Sequence, residues 1–140
     1  RCKGLLFQQC RVGIANADDR YFKDVFKNAT CKVETFGFCK EADLRAEDVN
    51  LVSRPGYLGV AYHVAGVMDF DVEIDVPGTF SVYNSLTAIA VCRHFDVPKE
   101  YIQAALKKAK ESFDHVKRIS SKTSGMSVRM RWKPFQRPTL

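Results

Sequence analysis

The chain has 140 residues, 46% of them hydrophobic and 27% charged, and carries a formal net charge of +6. That length supports one domain with a real core. No apolar run approaches the roughly 20 residues that span a bilayer, and no signal-peptide pattern appears, so a cytoplasmic protein is expected.

The charge is segregated. All 16 acidic residues fall within residues 1–114, whereas residues 115–140 hold seven Lys/Arg and no acid. A near-neutral body is therefore expected to carry a basic tail. The cysteines are odd in number and form no C-x-x-C pair, so neither a disulfide framework nor a zinc site is expected, and a reducing compartment fits better. Each reads as a small buried or half-buried residue. Position 1 is Arg rather than Met, which implies processing or a piece of something longer.

Residues 3–7 (Lys3-Gly4-Leu5-Leu6-Phe7) read as the end of a helix. Residues 11–16 form a short apolar strand. Ala17-Asp18-Asp19 is a good helix start, acids favouring a helix N-terminus, and predicts a helix over residues 18–28 that buries Tyr21, Phe22, Val25 and Phe26. Residues 31–37 read as the next strand. Strand, helix and strand predict a parallel βαβ unit, with ligands beyond the strands' carboxyl ends, at the corner formed by residues 16–19.

Residues 42–76 change character, with candidate strands at 42–53, 57–65 and 68–76. The last alternates Met68, Phe70, Val72, Ile74 and Val76 with Asp69, Asp71, Glu73 and Asp75, the pattern of an antiparallel sheet with one wet face. Same-face acids on a strand lie about 6–7 Å apart, so they predict a solvated face and not a metal site. His63 reads as an ordinary sheet residue. Pro77-Gly78 punctuates the chain. Val82, Tyr83, Leu86, Ile89 and Ala90 then repeat at helical spacing, with Thr79 or Ser81 expected to cap the helix through a hydroxyl and Asn84 expected near its first turn. Asp96-Val97-Pro98 begins a further helix striped with Tyr101, Ile102, Ala105 and Leu106. From Val128 onward cations alternate with Trp132 and Phe135, which reads as a flexible end more than a nucleic-acid surface.

The stretch from Pro77 to Ala90, Pro-Gly-x-Phe-x-Val-Tyr-Asn-x-Leu-x-Ala-Ile-Ala, resembles the segment of Mur ligases that follows the long hairpin of their central ATP-binding domain, nearest to the branch that adds the third residue of the peptidoglycan stem peptide. The resemblance spans residues 3–117. It implies an α/β fold: a partial Rossmann-like sheet of P-loop ligase type with flanking helices and a three-stranded antiparallel extension. It implies that residues 1–118 are the C-terminal half of that domain and 119–140 a basic tail. Two asparagines three apart face adenine in the family; Asn84 matches the second and Ser81 stands at the first. A carboxamide suits adenine, accepting from N6 and donating to N7 at once. Lys3 matches a lysine that reacts with carbon dioxide to a carbamate, a carboxylate-like oxygen ligand suited to Mg2+. Asn16, Asp18 and Asp19 match a family feature near the nucleotide. Ser112 stands where relatives place an arginine on ATP phosphate.

The cofactors implied are ATP and Mg2+, and the substrates a UDP-MurNAc-peptide and an amino acid. Yet the chain contains no G-x-x-x-x-G-K-[ST] phosphate loop, so it is expected to be an inactive fragment of an amide ligase. A sheet cut in half leaves an edge, which predicts self-association or disorder near residues 1–16. The alternatives are a non-catalytic module that binds an acidic partner through its tail, or a relative of folylpolyglutamate or cyanophycin synthetases.

Overall fold

The computed structural model describes residues 2–109, with side chains described from Gly4 onward. The expectations placed on Ser112, on the boundary at residue 118 and on the basic tail lie outside those residues.

In chain order the elements are α1 (Cys2–Leu6), β1 (Val12–Asn16), α2 (Phe22–Phe26), β2 (Lys32–Gly37), β3 (Leu44–Arg54), β4 (Tyr57–Gly66), β5 (Phe70–Ile74), α3 (Thr79–His94) and α4 (Lys99–Lys107). The strands make one sheet in the order β1-β2-β3-β4-β5. β1 and β2 run parallel from Val12↔Lys32 to Asn16↔Phe36, while β3, β4 and β5 pair antiparallel. The fold is therefore α/β, with a parallel unit and a three-stranded antiparallel extension fused into a single mixed sheet.

The fusion happens at the start of β3. The link from β2 to β3 is too short for the helical crossover that parallel strands need. Their pairing accordingly covers only Phe36↔Leu44 and Gly37↔Arg45. Side chains reinforce this seam: the Thr35 amide and hydroxyl both donate to Asp43 Oδ2, at 2.8 and 2.9 Å. Past Ala46 the β3 residues are mostly exposed, while Val60 and Tyr62 on the paired strand β4 stay buried in the core.

Alternation of apolar side chains in β4 and β5 supplies one wall of the core, and α3 supplies the other. Leu44, Val64, Val82, Leu86 and Ile89 are fully buried. Phe70, Val72 and Ile74 point inward from β5, as the alternation predicts. Their acidic neighbours are more engaged than a merely solvated face. Asp71 lies 2.8 Å from His63 Nδ1, Glu73 lies 2.6 Å from Arg54, and Asp75 accepts from the Leu58 amide at 3.1 Å. Cross-strand neighbours of opposite charge reach one another on a pleated face.

Two local expectations are corrected. The helix predicted over residues 18–28 is only Phe22–Phe26. Tyr21 is exposed, and no residue of α2 is buried. The cause is that Asp18 is recruited elsewhere, as described below. The cap predicted from Thr79 or Ser81 is absent: Gly78, at φ +97°, precedes the helix and no side chain caps it. Ser81 instead turns its hydroxyl back to the Pro77 carbonyl, at 3.1 Å.

Candidate functional site

Asn16, Asp18 and Asp19 sit just past the carboxyl end of β1, where the parallel strands open. Their side chains organise a turn. Asn16 Oδ1 accepts from the Asp18 amide at 2.9 Å and Asp19 Oδ1 from the Tyr21 amide at 2.8 Å. Short polar side chains that bond the backbone two residues on favour turns over helix.

Asp18 reaches farther. Its carboxylate accepts from the Phe38 amide at 2.7 Å, the Cys39 amide at 3.1 Å and the Tyr83 hydroxyl at 3.0 Å. Desolvation works to raise its pKa, but the Phe38 amide, the Tyr83 hydroxyl and Cys39 together hold the carboxyl below its ordinary value. Burial, followed by the Asp18 charge, pushes the Tyr83 hydroxyl up to about 12. Tyr83 thus remains a donor at physiological pH. Its ring also meets Phe38 edge-on, centroids 4.9 Å apart. One carboxylate joins the end of β1, the end of β2 and α3.

That junction carries Asn84 with it. Asn84 is the residue after Tyr83 and is exposed. Because α3 begins at Thr79, Asn84 lies in the second turn and not the first, so the unpaired amides of the helix start are not its immediate neighbours. Ser81 is buried and committed to Pro77. The structure therefore sets Asn84 one residue after the tyrosine that binds Asp18 and keeps the Ser81 hydroxyl on the Pro77 carbonyl. Lys3 falls in α1, and its side chain lies outside the description. Among the described residues no His/Cys/Asp/Glu group is arranged to hold a metal ion.

A second network stays hidden when strands are read only for apolar alternation. Glu34 shares the inward face of β2 with Phe36 and is 6% exposed. It accepts from Arg93, from His94 Nε2 at 2.8 Å and from Lys32 at 3.0 Å. The Arg93 hydrogen bond is the largest of the influences that hold its carboxyl at about 2. This buried anion clasps the carboxyl end of α3, where cations are favoured by the helix dipole. The signal available was a lone Glu on an inward strand position together with Arg-His at a helix end.

A deeper polar contact fixes the middle of α3. Tyr62 OH lies 2.5 Å from Ser85 Oγ, which donates to the Val82 carbonyl at 2.8 Å. Buried polar groups must find such partners, and this one sets the rotation of α3 that exposes Asn84.

A family model described as the Mur ligase middle domain matches residues 1–92. A diaminopimelate-adding ligase of Clostridium acetobutylicum, UDP-N-acetylmuramoyl-L-alanyl-D-glutamate–2,6-diaminopimelate ligase 1, is 33% identical over 108 residues, covering 77% of this chain and 22% of that protein. The UDP-N-acetylmuramate–L-alanine ligase of a Sulfurihydrogenibium species is 36% identical over 104 residues, covering 74% of this chain and 20% of the relative. This chain thus spans about a fifth of the length of the curated relatives it matches. Among solved structures, UDP-N-acetylmuramoylalanyl-D-glutamyl-2,6-diaminopimelate–D-alanyl-D-alanyl ligase from Acinetobacter baumannii superposes with a TM-score of 0.59 at 18% identity, over 69% of this chain and 21% of that one. That likeness concerns the fold.

Proposed function

Because this chain belongs to the Mur ligase family, we propose that it forms the adenine-receiving part of an ATP-dependent amino-acid ligase of peptidoglycan synthesis. The observation that carries this reading is the Tyr83–Asp18 hydrogen bond, which ties the helix bearing Asn84 to the corner at residues 16–19. The exposed Asn84 carboxamide has the donor and acceptor that an adenine edge requires. Asn16, Asp18 and Asp19 shape the corner to which Tyr83 is bonded, and Ser81 holds the start of α3 through Pro77. Lys3, as a carbamate, would give Mg2+ a carboxylate-like ligand.

The relatives favour the same division of labour. Proteins named for adding diaminopimelate and L-alanine match overlapping stretches at 33% and 36% identity, each over about three quarters of this chain. What they share with this chain is therefore not the choice of amino acid. A UDP-MurNAc-peptide and an amino acid are the proposed substrates of the longer enzyme, and the cytoplasm its location. With no glycine-rich phosphate loop in the chain, catalysis that relies on positioned phosphates is not expected from these residues alone.

Titration with Mg-ATP tests this. The 140-residue chain should bind weakly and saturably, and Asn84→Ala should weaken binding roughly tenfold, the effect of about 1.4 kcal/mol from lost hydrogen bonds. Equal affinities in the two proteins would remove Asn84 from the site. Product formation from ATP, UDP-MurNAc-dipeptide and an amino acid would overturn the proposed inactivity.

The edge of β1 supports a further part of the reading. Among the described residues β1 is the first strand of the sheet and pairs on one side only. Apolar grooves flank both its faces: one of about 390 Å³ includes Phe7, Ala15 and Phe22, and one of about 490 Å³ includes Val12, Val91 and Phe95. A strand apolar on both faces belongs inside a parallel sheet, and an unprotected edge recruits another strand. The isolated chain should therefore self-associate with rising concentration, and Val12→Lys should shift it toward monomer. Sedimentation of a monomer at every concentration would refute this.

A further inference from the structure

Two cysteines outside the candidate site lie side by side. Cys10 ends the turn after α1, and Cys31 precedes β2. Backbone and side-chain contacts hold the two segments together around them. The Thr30 amide donates to the Phe7 carbonyl at 3.2 Å and the Lys32 amide to the Arg11 carbonyl at 3.3 Å. The Thr30 hydroxyl adds a contact to the Gln8 carbonyl at 3.3 Å. Within this frame the Cys31 thiol is near enough to Cys10 to influence its ionisation. Cys31 Sγ also lies over Gly13, 3.2 Å from the point a Cβ would occupy there. No side chain at position 13 therefore crowds that sulfur. Cys10 is exposed, Cys31 is half-buried, and both are free thiols. The exposure of Cys10 departs from the buried or half-buried position expected of it.

We propose that Cys10 and Cys31 are a thiol–disulfide modification site, oxidised reversibly by a small-molecule disulfide of the glutathione class. The Cys10 thiolate, the more accessible sulfur, attacks one sulfur of the reagent. A mixed disulfide forms and one glutathione thiolate leaves. The Cys31 thiolate then attacks Cys10 Sγ, the bond between Cys10 and glutathione breaks, and the second glutathione leaves. The protein gives up two electrons and two protons, and the reagent disulfide takes up both as two thiols. Partial desolvation, followed by the Cys31 thiol, raises the Cys10 pKa above its ordinary value. The pair should stay reduced and slow near neutrality, and react faster as the pH rises.

The closed loop would contain β1, the corner at residues 16–19 and α2. Its knot lies at the root of this crossover, leaving the Asp18–Tyr83 bond outside the chemistry. The device would therefore stiffen the crossover without occupying the candidate site, and it stands independently of the ligase reading.

The test is incubation of the 140-residue chain in glutathione buffers of graded reduced-to-oxidised ratio, followed by peptide mass mapping. A Cys10–Cys31 peptide pair, lighter by two hydrogens and restored by dithiothreitol, should reach half-formation at a ratio about tenfold more reducing than glutathione adducts at Cys39 or Cys92 require. Cys31→Ser should trap a glutathione adduct on Cys10, with circular dichroism reporting an unchanged fold in the reduced state. Hydrogen exchange over residues 11–30 should slow in the oxidised wild type. A Cys10 adduct that persists in the wild type, a first linkage to a different cysteine, or no reaction at all would each overturn the proposal.

Discussion

Replacing Glu34 with alanine should destabilise the folded chain by about 3 kcal/mol, because removing the buried anion leaves the largely buried Arg93 and His94 without their partner. Arg93 and His94 keep roughly 30% of their side-chain surface exposed, which places the effect at the lower end of the range for such clusters. Glu34→Gln preserves shape and should recover part of the loss. Urea unfolding measures it: the midpoint should fall while the slope stays constant. A change below about 0.5 kcal/mol, the size of an ordinary surface substitution, would show that the cluster does not clasp α3.

The same residue sets an acid limit. Its carboxyl, ordinarily near 4.5, is held at about 2 by Arg93 first, with Lys32 and His94 helping. A depressed carboxyl pKa means that the unfolded chain binds the proton more readily. The stability it contributes is therefore complete above about pH 5 and drains away as pH falls toward 2. Glu34→Gln should flatten the stability profile across that window, and an unchanged slope would contradict the assignment.

Gly66→Ala should be comparably severe, at about 3 kcal/mol. Gly66 adopts φ +108°, and a Cβ there would sit 2.1 Å from the Asp43 carbonyl oxygen. That carbonyl accepts from the Val67 amide at 2.9 Å, and the Asp43 side chain ties to Thr35. Any shift of Asp43 would thus loosen the seam between the parallel and antiparallel parts of the sheet. Gly78→Ala is the control. Its φ is also positive, at +97°, but nothing lies within 4 Å of the added carbon. Only the backbone strain applies there, so the loss should be nearer 1–2 kcal/mol. Equal thermal shifts in the two variants would show that the contact with Asp43 is unimportant.

Elements with a strong internal rhythm were legible from the residues. Phe70, Val72 and Ile74 alternate because one face of β5 is buried. Val82, Leu86, Ile89 and Ala90 recur at helical spacing because one side of α3 is buried. The stripe expected on α4 holds only in part: Ile102 is buried, whereas Tyr101 and Ala105 are exposed. The motif from Pro77 to Ala90 carried the family likeness without any coordinates. The α2 boundary failed because acids after a strand look like a helix start. Whether such an acid caps its own helix depends on what else lies within reach. Phe38 and Tyr83 lie 20 and 65 positions from Asp18, and no local pattern reports them.

The sequence by itself determined the class of fold, the succession of strands and helices, and the chemical capacity of Asn84 and the corner at residues 16–19, since periodicity, turn chemistry and side-chain identity are local properties. The tertiary structure alone decided that Asp18 fastens three elements together, that Glu34 is a buried clasp, that Ser81 turns inward while Asn84 faces out, and that the segments carrying Cys10 and Cys31 are joined. Those outcomes depend on hydrogen bonds and ion pairs between residues distant in the chain, and it is folding that chooses which partner each polar group finds.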